Sequence, residues 1–367
     1  MLEFFQNSID SLNSMHIILK MCNYLSLAFA VAIFLCMIYL KNLRDRLKIK
    51  NRIETTYQKK YESDLIEYLY AGDDETENEQ QQKIVAYLKK CSENRLKRKI
   101  IINTFLKLKN DVSGETADAI QRLYYQTDLI KSATSKLKSK KWAVVAKAIR
   151  ELTKFEIKET HDEIIQLINH PRKEVRFEIQ KYLVQLFRFD GLKFLDIIEN
   201  DLSEWDQIQL LEILNKFKNV EVPDLNDWLR SKNDSVVSFT LKLVRLHNQF
   251  NVVAEIIDLF KHTNEEIRVE AIKLVSHLGI YEAVEILKVD LQERTLEEQI
   301  AFFKMMEEMS MPDDVEFVKA YMNHDNFYIR ISVMKIMNLI TVDDDNTFVI
   351  NSIAEEYPIE TNLIKAS

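Results

Sequence analysis

At 367 residues the chain is long enough for a large core or an extended array, yet it holds only four glycines and four prolines. Glycine supplies the positive-φ turns and close backbone approaches of phosphate-binding loops, so this scarcity excludes a Walker loop or a GxGxxG fingerprint and fits helices joined by short polar turns. The net charge of −8 hides two opposite blocks, 27 basic against 17 acidic residues over Lys41–Lys158 and 22 against 39 over Glu159–Ser367; the first suits an anionic membrane surface, and the second argues against nucleic acid as a partner.

Residues 1–20 read as a short extracytoplasmic N-terminus. Met21 to Leu40 is twenty residues without a charge; as a helix it reaches about 30 Å, the thickness of bilayer hydrocarbon. Tyr24 and Tyr39 stand near its ends, and Lys41, Arg44, Arg46, Lys48, Lys50 and Arg52 follow against one acid, Asp45. This places a single-pass transmembrane helix over 21–40 in the inner (cytoplasmic) membrane, with the bulk of the chain in the cytoplasm. A cleaved signal peptide fits less well, because the preceding stretch is long and not basic. Cys22, Cys36 and Cys91 form neither a disulfide framework nor a metal spacing.

Residues 41–112 read as a charged juxtamembrane helical region. It comprises a helix from Asn42 to about Tyr70, a polar loop over Asp73–Gln82, and a helix over Lys83–Lys109. Arg95, Lys97, Arg98 and Lys99 form a basic cluster there, a solvated helix face or a contact for lipid headgroups. Ser113-Gly114 breaks the pattern, and residues 113–345 then carry a repeat, led in by helices over Ala117–Tyr125 and Asp128–Leu137.

The repeat is clearest at Asn169–Leu183, where Pro171 breaks one apolar helix and a second begins near Glu174, burying Val175, Ile179, Tyr182, Leu183 and Leu186. Positions equivalent to Val175 are Asp206, Val236, Ile267, Glu298 and Ile329, in steps of 31, 30, 31, 31 and 31. Each unit pairs a first helix with a second, which is the signature of an α-solenoid. First helices are expected over His161–Ile168, Leu192–Glu199, Asp224–Arg230, Val252–Phe260, Tyr281–Leu291 and Asp313–Met322. The leading unit is placed at Lys141, a step of 34 before Val175. Residues 346–367 read as a cap or tail with a short helix over Asn346–Glu356.

Second helices that open with Val175-Arg176, Ile267-Arg268 and Ile329-Arg330 resemble the HEAT repeat, an armadillo-like fold. The arginine is replaced by Gln207, Val237 and Gln299 in other units, so a continuous arginine ladder is not expected. The resemblance covers about Ala117 to Thr341 and implies an all-α protein, an N-terminal transmembrane helix followed by a right-handed α-solenoid of HEAT-like hairpins. With the anchor, Gly191-Leu192-Lys193-Phe194-Leu195 and Ser203-Glu204-Trp205, the chain also looks like bacterial membrane-anchored HEAT-repeat proteins. That likeness implies a non-enzymatic scaffold beside an envelope glycosyltransferase complex. The alternative it carries is a HEAT-like fold acting on nucleic acid or a bilin chromophore, as DNA-repair or bilin-lyase-like proteins do.

On each second helix the offset of +6 from the register residue points away from the buried stripe. Lys181, Lys242, Lys273, Lys304 and Lys335 occupy it, with Lys147 in the leading unit and Glu212 as the interruption. This row is the candidate site for a protein partner with an acidic surface or peptide; a merely solvated face is the plainer reading. Glu178 and Glu270, three residues earlier, can pair with their lysines. His170, His262 and His324 recur at offset −5, suiting turn capping rather than a metal site. Phe302, Met305, Met306 and Met309 fall on the stripe; Phe303 falls off it. Phe327 and Tyr328 stand where other copies are polar and are candidate contact residues, and Trp228 aligns with core positions. No catalytic, cofactor-binding or metal-ligating set is recognised.

Overall fold

The computed structural model of the protein describes residues 17–71, 78–217 and 221–341. The expected extracytoplasmic residues up to 16, the acidic residues 72–77 and the expected cap or tail at 346–367, with its helix over Asn346–Glu356, lie outside the described residues. All regular structure among the described residues is helical, seventeen α-helices and five short 3-10 segments. They form two compact units divided between Ser132 and Ala133.

The first unit begins with α1 (Ile17–Tyr70), a single helix of 54 residues. No glycine or proline falls within it, so nothing breaks its hydrogen-bond ladder over about 80 Å. Every side chain described between Met21 and Leu40 is exposed. This part of the helix is long and apolar enough to cross a membrane, as an anchor or a signal sequence does. The other end is packed: Tyr61, Leu65 and Tyr68 are buried, where α1 meets α2 (Glu79–Ser92), α3 (Arg95–Asp111) and α4 (Glu115–Gln126). Two expectations change here. The polar stretch does not extend to Gln82, because Asn78 accepts from the Gln81 amide at 2.8 Å and Gln81 Oε1 accepts from the Asn78 amide at 3.0 Å, a capping box that opens α2 at Glu79. The helix expected over Lys83–Lys109 is two, divided where the Asn94 side chain caps the Leu96 and Lys97 amides.

Helix α5 (Leu129–Leu137) spans the division, and the paired helices follow it. They are α6 (Trp142–Lys154); α7 (His161–Ile165) with α8 (Lys173–Phe187); a 3-10 run, Arg188–Asp196, with α9 (Glu204–Leu214); and α10 (Asn226–Leu229) with α11 (Asp234–His247). Next come α12 (Val253–Asp258) with α13 (Glu265–Leu278), α14 (Tyr281–Asp290) with α15 (Leu296–Met309), and α16 (Val315–Lys319) with α17 (Phe327–Thr341). The second helices start at 142, 173, 204, 234, 265, 296 and 327, every step being 31 except one of 30. The leading unit therefore keeps the common period: its register residue is Val144, not Lys141, and its +6 residue is Arg150, not Lys147.

One turn geometry recurs before five of the seven second helices, α6, α8, α11, α13 and α17; Ser203 and Thr295 cap the other two. A side-chain acceptor at offset −5 takes the backbone N–H at offset −3, where the second helix is capped. His170 accepts from Arg172 at 3.0 Å, His262 from Asn264 at 3.1 Å and His324 from Asn326 at 3.1 Å. Ser139 and Ser231 do the same for Lys141 and Asn233, both at 3.2 Å. Asn233, Asn264 and Asn326 then cap the helix by accepting the amides of Ser235, Glu266 and Tyr328. The arginine after the register residue closes the turn from the other side. Arg176, Arg268 and Arg330 each donate to the histidine carbonyl at 2.8 Å and to the following carbonyl at 3.0–3.3 Å. Gln207 and Gln299 reach the equivalent carbonyls, Leu202 at 3.1 Å and Arg294 at 3.0 Å. The bracket thus survives an arginine-to-glutamine exchange, and Val145 and Val237 are the positions whose side chains cannot donate.

Second helices pack side by side in the pairs α6–α8, α8–α9, α11–α13, α13–α15 and α15–α17. Helices α8 and α15, flanked on both sides, bury more than one stripe. Offsets +3 and +5 are buried too, as with Glu178 and Gln180 on α8 and Ala301 and Phe303 on α15. Phe303, expected off the core, is fully buried, its ring edge-on to Tyr321 at 4.9 Å and to Phe302 at 5.4 Å. Trp228 is buried and donates its indole N–H to Asp196 at 2.6 Å.

The α-helix expected over Leu192–Glu199 is instead the 3-10 run Arg188–Asp196, which folds straight back onto α8. Gly191 makes that return possible: a Cβ there would stand 2.2 Å from the Leu183 carbonyl oxygen. Gly191→Ala should therefore cost about 1–3 kcal/mol, as overpacking does, measured by denaturant unfolding followed by circular dichroism. In the same assay Arg268→Met should cost about 3 kcal/mol, because it removes the cation paired with the buried Glu298 carboxylate and leaves that carboxylate the Thr295 N–H and Arg294 at 4.0 Å. Arg176→Lys removes a turn bracket alone and should cost about 1 kcal/mol.

Candidate functional site

The lysine row lies where the helical period puts it. Lys273 and Lys304 are exposed, and Lys181, Lys242 and Lys335 are half-buried at the edge of the stripe. The lysines differ in what they meet. Lys242 donates to Gln207 Oε1 at 2.7 Å, a bridge from α11 back to α9. Lys273 pairs with Glu270 at 3.0 Å, the pairing read from the spacing. Lys304 pairs with Glu307 at 2.7 Å, and Lys335 approaches the same carboxylate at 3.8 Å. Glu178, expected to pair with Lys181, is taken by Arg150 of α6, and that hydrogen bond holds the guanidinium above its usual range against the opposing effect of burial. Lys181 makes no ion pair among the described residues. The row is therefore balanced by glutamates toward its C-terminal end and open at Lys181.

Between α9 and α11 the packing changes. The two helices are bridged by polar links: Lys242 to Gln207, the Leu202 amide to Ser235 Oγ at 2.8 Å, and Gln207 Nε2 to the Ser235 carbonyl at 3.4 Å. Beside them runs a groove of about 340 Å³ with Ile208, Leu211, Leu241 and Leu274 on its walls and Lys242, Arg245 and Glu270 at its rim. Trp205 and Ile208 on α9 are 66% and 54% exposed, so this second helix shows an apolar outer face beside the groove. The sequence carried a signal for it: Trp205 and Ile208 fall at offsets −1 and +2, outside the buried stripe.

Phe327 and Tyr328 open α17, 38% and 66% exposed, with rings edge-on at 5.8 Å. The histidines at offset −5 act as acceptors within their turns. Among the described residues no group of three or more His, Cys, Asp or Glu side chains is placed to hold a metal.

These elements define an all-α chain: a long helix, apolar at its N-terminal end, followed by paired helices on a 31-residue period. No family model matches the chain, and no curated protein matches it. Among solved structures, an engineered protein aligns with 82% of this chain and 93% of its own at 14% identity and a TM-score of 0.35. A structure of tubulin recruitment and assembly by microtubule polymerases with TOG domain arrays aligns with 78% of this chain and 81% of its own, at 12% identity and a TM-score of 0.26. Likeness at this level assigns neither family nor function.

His247, at the end of α11, gives the paired helices a dependence on pH. Burial holds its imidazole below the ordinary histidine range; Nε2 is buried without a hydrogen-bond partner among the described residues, and the ring meets Phe189 edge-on at 5.2 Å. The unfolded chain takes up its proton near the ordinary value of 6.5, whereas the folded chain waits for lower pH. Stability is thus full above that value and falls as pH drops through it. Thermal melts from neutral pH down to about pH 5 should show this decline, and His247→Phe should flatten it.

Proposed function

We propose that the protein is a membrane-tethered scaffold of HEAT-like repeats. Its N-terminal helix is a single-pass anchor in the cytoplasmic membrane, and its second helices present a docking face to a protein partner with an acidic surface or peptide. The observation that carries this reading is α1. Its exposed apolar end runs without a break into Tyr61, Leu65 and Tyr68, which are core residues of the first unit. Cleavage as a signal sequence would cut the helix that the unit packs against, and the basic residues from Lys41 onward favour the cytoplasmic side. The binding half of the proposal is supported by cations recurring at one offset, by the apolar groove beside Lys242, and by Phe327 and Tyr328 standing exposed on the same series of helices.

The test is recovery of a partner from crosslinked membranes through a tagged full chain. Lys242→Glu, Lys273→Glu and Lys304→Glu together should abolish recovery of any protein that the unaltered chain enriches, while the melting temperature holds. Undiminished recovery by the triple variant would reject the docking face. Extraction of the chain by high salt or carbonate without detergent would reject the anchor.

A further inference from the structure

A second cavity, of about 800 Å³, lies at the open end of the lysine row between α8 and α9. Lys158, Lys181 and Arg188 line it, and none of the three makes an ion pair among the described residues. All three acids on its wall are engaged, Asp190 by Lys193 at 3.3 Å, Glu212 by Lys216 at 3.8 Å, and Glu156 as well. Phe187 and Phe217 supply an apolar floor. The volume is at the upper end of the range for ligand sites.

Arg188 is the residue that marks this cavity. Its backbone has φ 57° and ψ −129°, a combination open to glycine and strained for any residue with a Cβ. The position ends α8, with its N–H on the Val184 carbonyl, and starts the 3-10 run that folds back at Gly191. Glycine would satisfy that turn at no steric cost. An arginine there instead carries its guanidinium to the cavity wall, 5.3 Å from the centre of the Phe217 ring. Backbone strain retained for a side chain facing a cavity, beside two further unpaired cations, calls for a ligand that uses the charge.

We infer that this cavity seats a short acidic segment of the protein partner, its carboxylates on Lys158, Lys181 and Arg188 and an apolar side chain against Phe187 and Phe217. The inference rests on the proposed docking role and names where docking is centred. A peptide suits the cavity better than a nucleic acid or a free phosphate. The sequence from Glu159 onward carries 22 basic and 39 acidic residues, which repels a long polyanion. The aromatic floor has no use for a phosphate, whereas it matches a leucine or phenylalanine between two acids.

The experiment is a fluorescence anisotropy titration of the full chain in mild detergent, using a labelled hexapeptide of alternating glutamate and leucine. The matching glutamine–leucine peptide should bind at least about tenfold more weakly. Arg188→Gly should raise the melting temperature by relieving the backbone and yet weaken the acidic peptide about tenfold or more. Arg188→Ala, which keeps the Cβ, should weaken it equally without the gain in stability, and Lys181→Gln should weaken it while leaving the melting temperature unchanged. Equal binding of the two peptides, or unchanged affinity in both Arg188 variants, would overturn the inference. Displacement of the peptide by equimolar inorganic pyrophosphate would overturn it in favour of a phosphate site. Loss of the membrane-recovered partner in the lysine triple variant with peptide affinity intact leaves the seat standing; recovery with no peptide binding removes the seat alone.

Discussion

The repeated turn is the constraint on which the second unit depends. Each turn must supply an acceptor for a backbone N–H that the helix cannot satisfy and donors for carbonyls that the preceding helix leaves open. In five of the seven turns a histidine ring or a serine hydroxyl answers the first need, and in five an arginine or glutamine one position past the register residue answers the second. Both partners sit within a few residues of each other, so the turn is locally determined. Fixing it sets where each second helix begins, and hence which of its residues face a neighbour.

Units bound by such turns still need specific junctions, and here the chain uses buried charge. Glu178, Glu298 and Asp314 are buried acids held by cations from the neighbouring unit: Arg150, Arg268 and Lys288. Burial opposes the charge on Lys288, but its hydrogen bonds to Asp314 and Glu285 outweigh that and hold the ammonium above its usual range. Pairs of this kind add little net stability over apolar contacts, yet a mismatched register would strand a charge. The α9–α11 junction departs from this: its bridges, among them the Lys242 ammonium on the neutral Gln207 amide, involve no acid, and it is the place where a groove opens.

Much of this was legible in the sequence because it is periodic. The 31-residue step, the outward lysines and the histidine turns all follow from counting, and so did the all-α class, since four glycines and four prolines leave little else. What escaped had a local cause. The leading unit was misplaced by three residues because a three-residue shift keeps Val145, Ala148, Ile149 and Leu152 on the buried side; the turn acceptor Ser139 separates the two registers. Phe303 was misjudged because a single-stripe rule suits a helix with one buried side, and these have neighbours on two. The strain at Arg188 has no sequence signature at all, since an arginine at a helix end is ordinary; only the backbone angles reveal it.

The uninterrupted run of α1 also fixes a length. From Leu40, where the charge-free stretch ends, to Tyr61, where α1 is first deeply buried, is 21 residues, about 31 Å of helix. Without glycine or proline this interval works as a spacer of set span and set rotational phase. Deleting a single residue from it would turn the buried face through about 100° relative to the apolar end. Three or four residues together would nearly restore the phase while shortening the standoff.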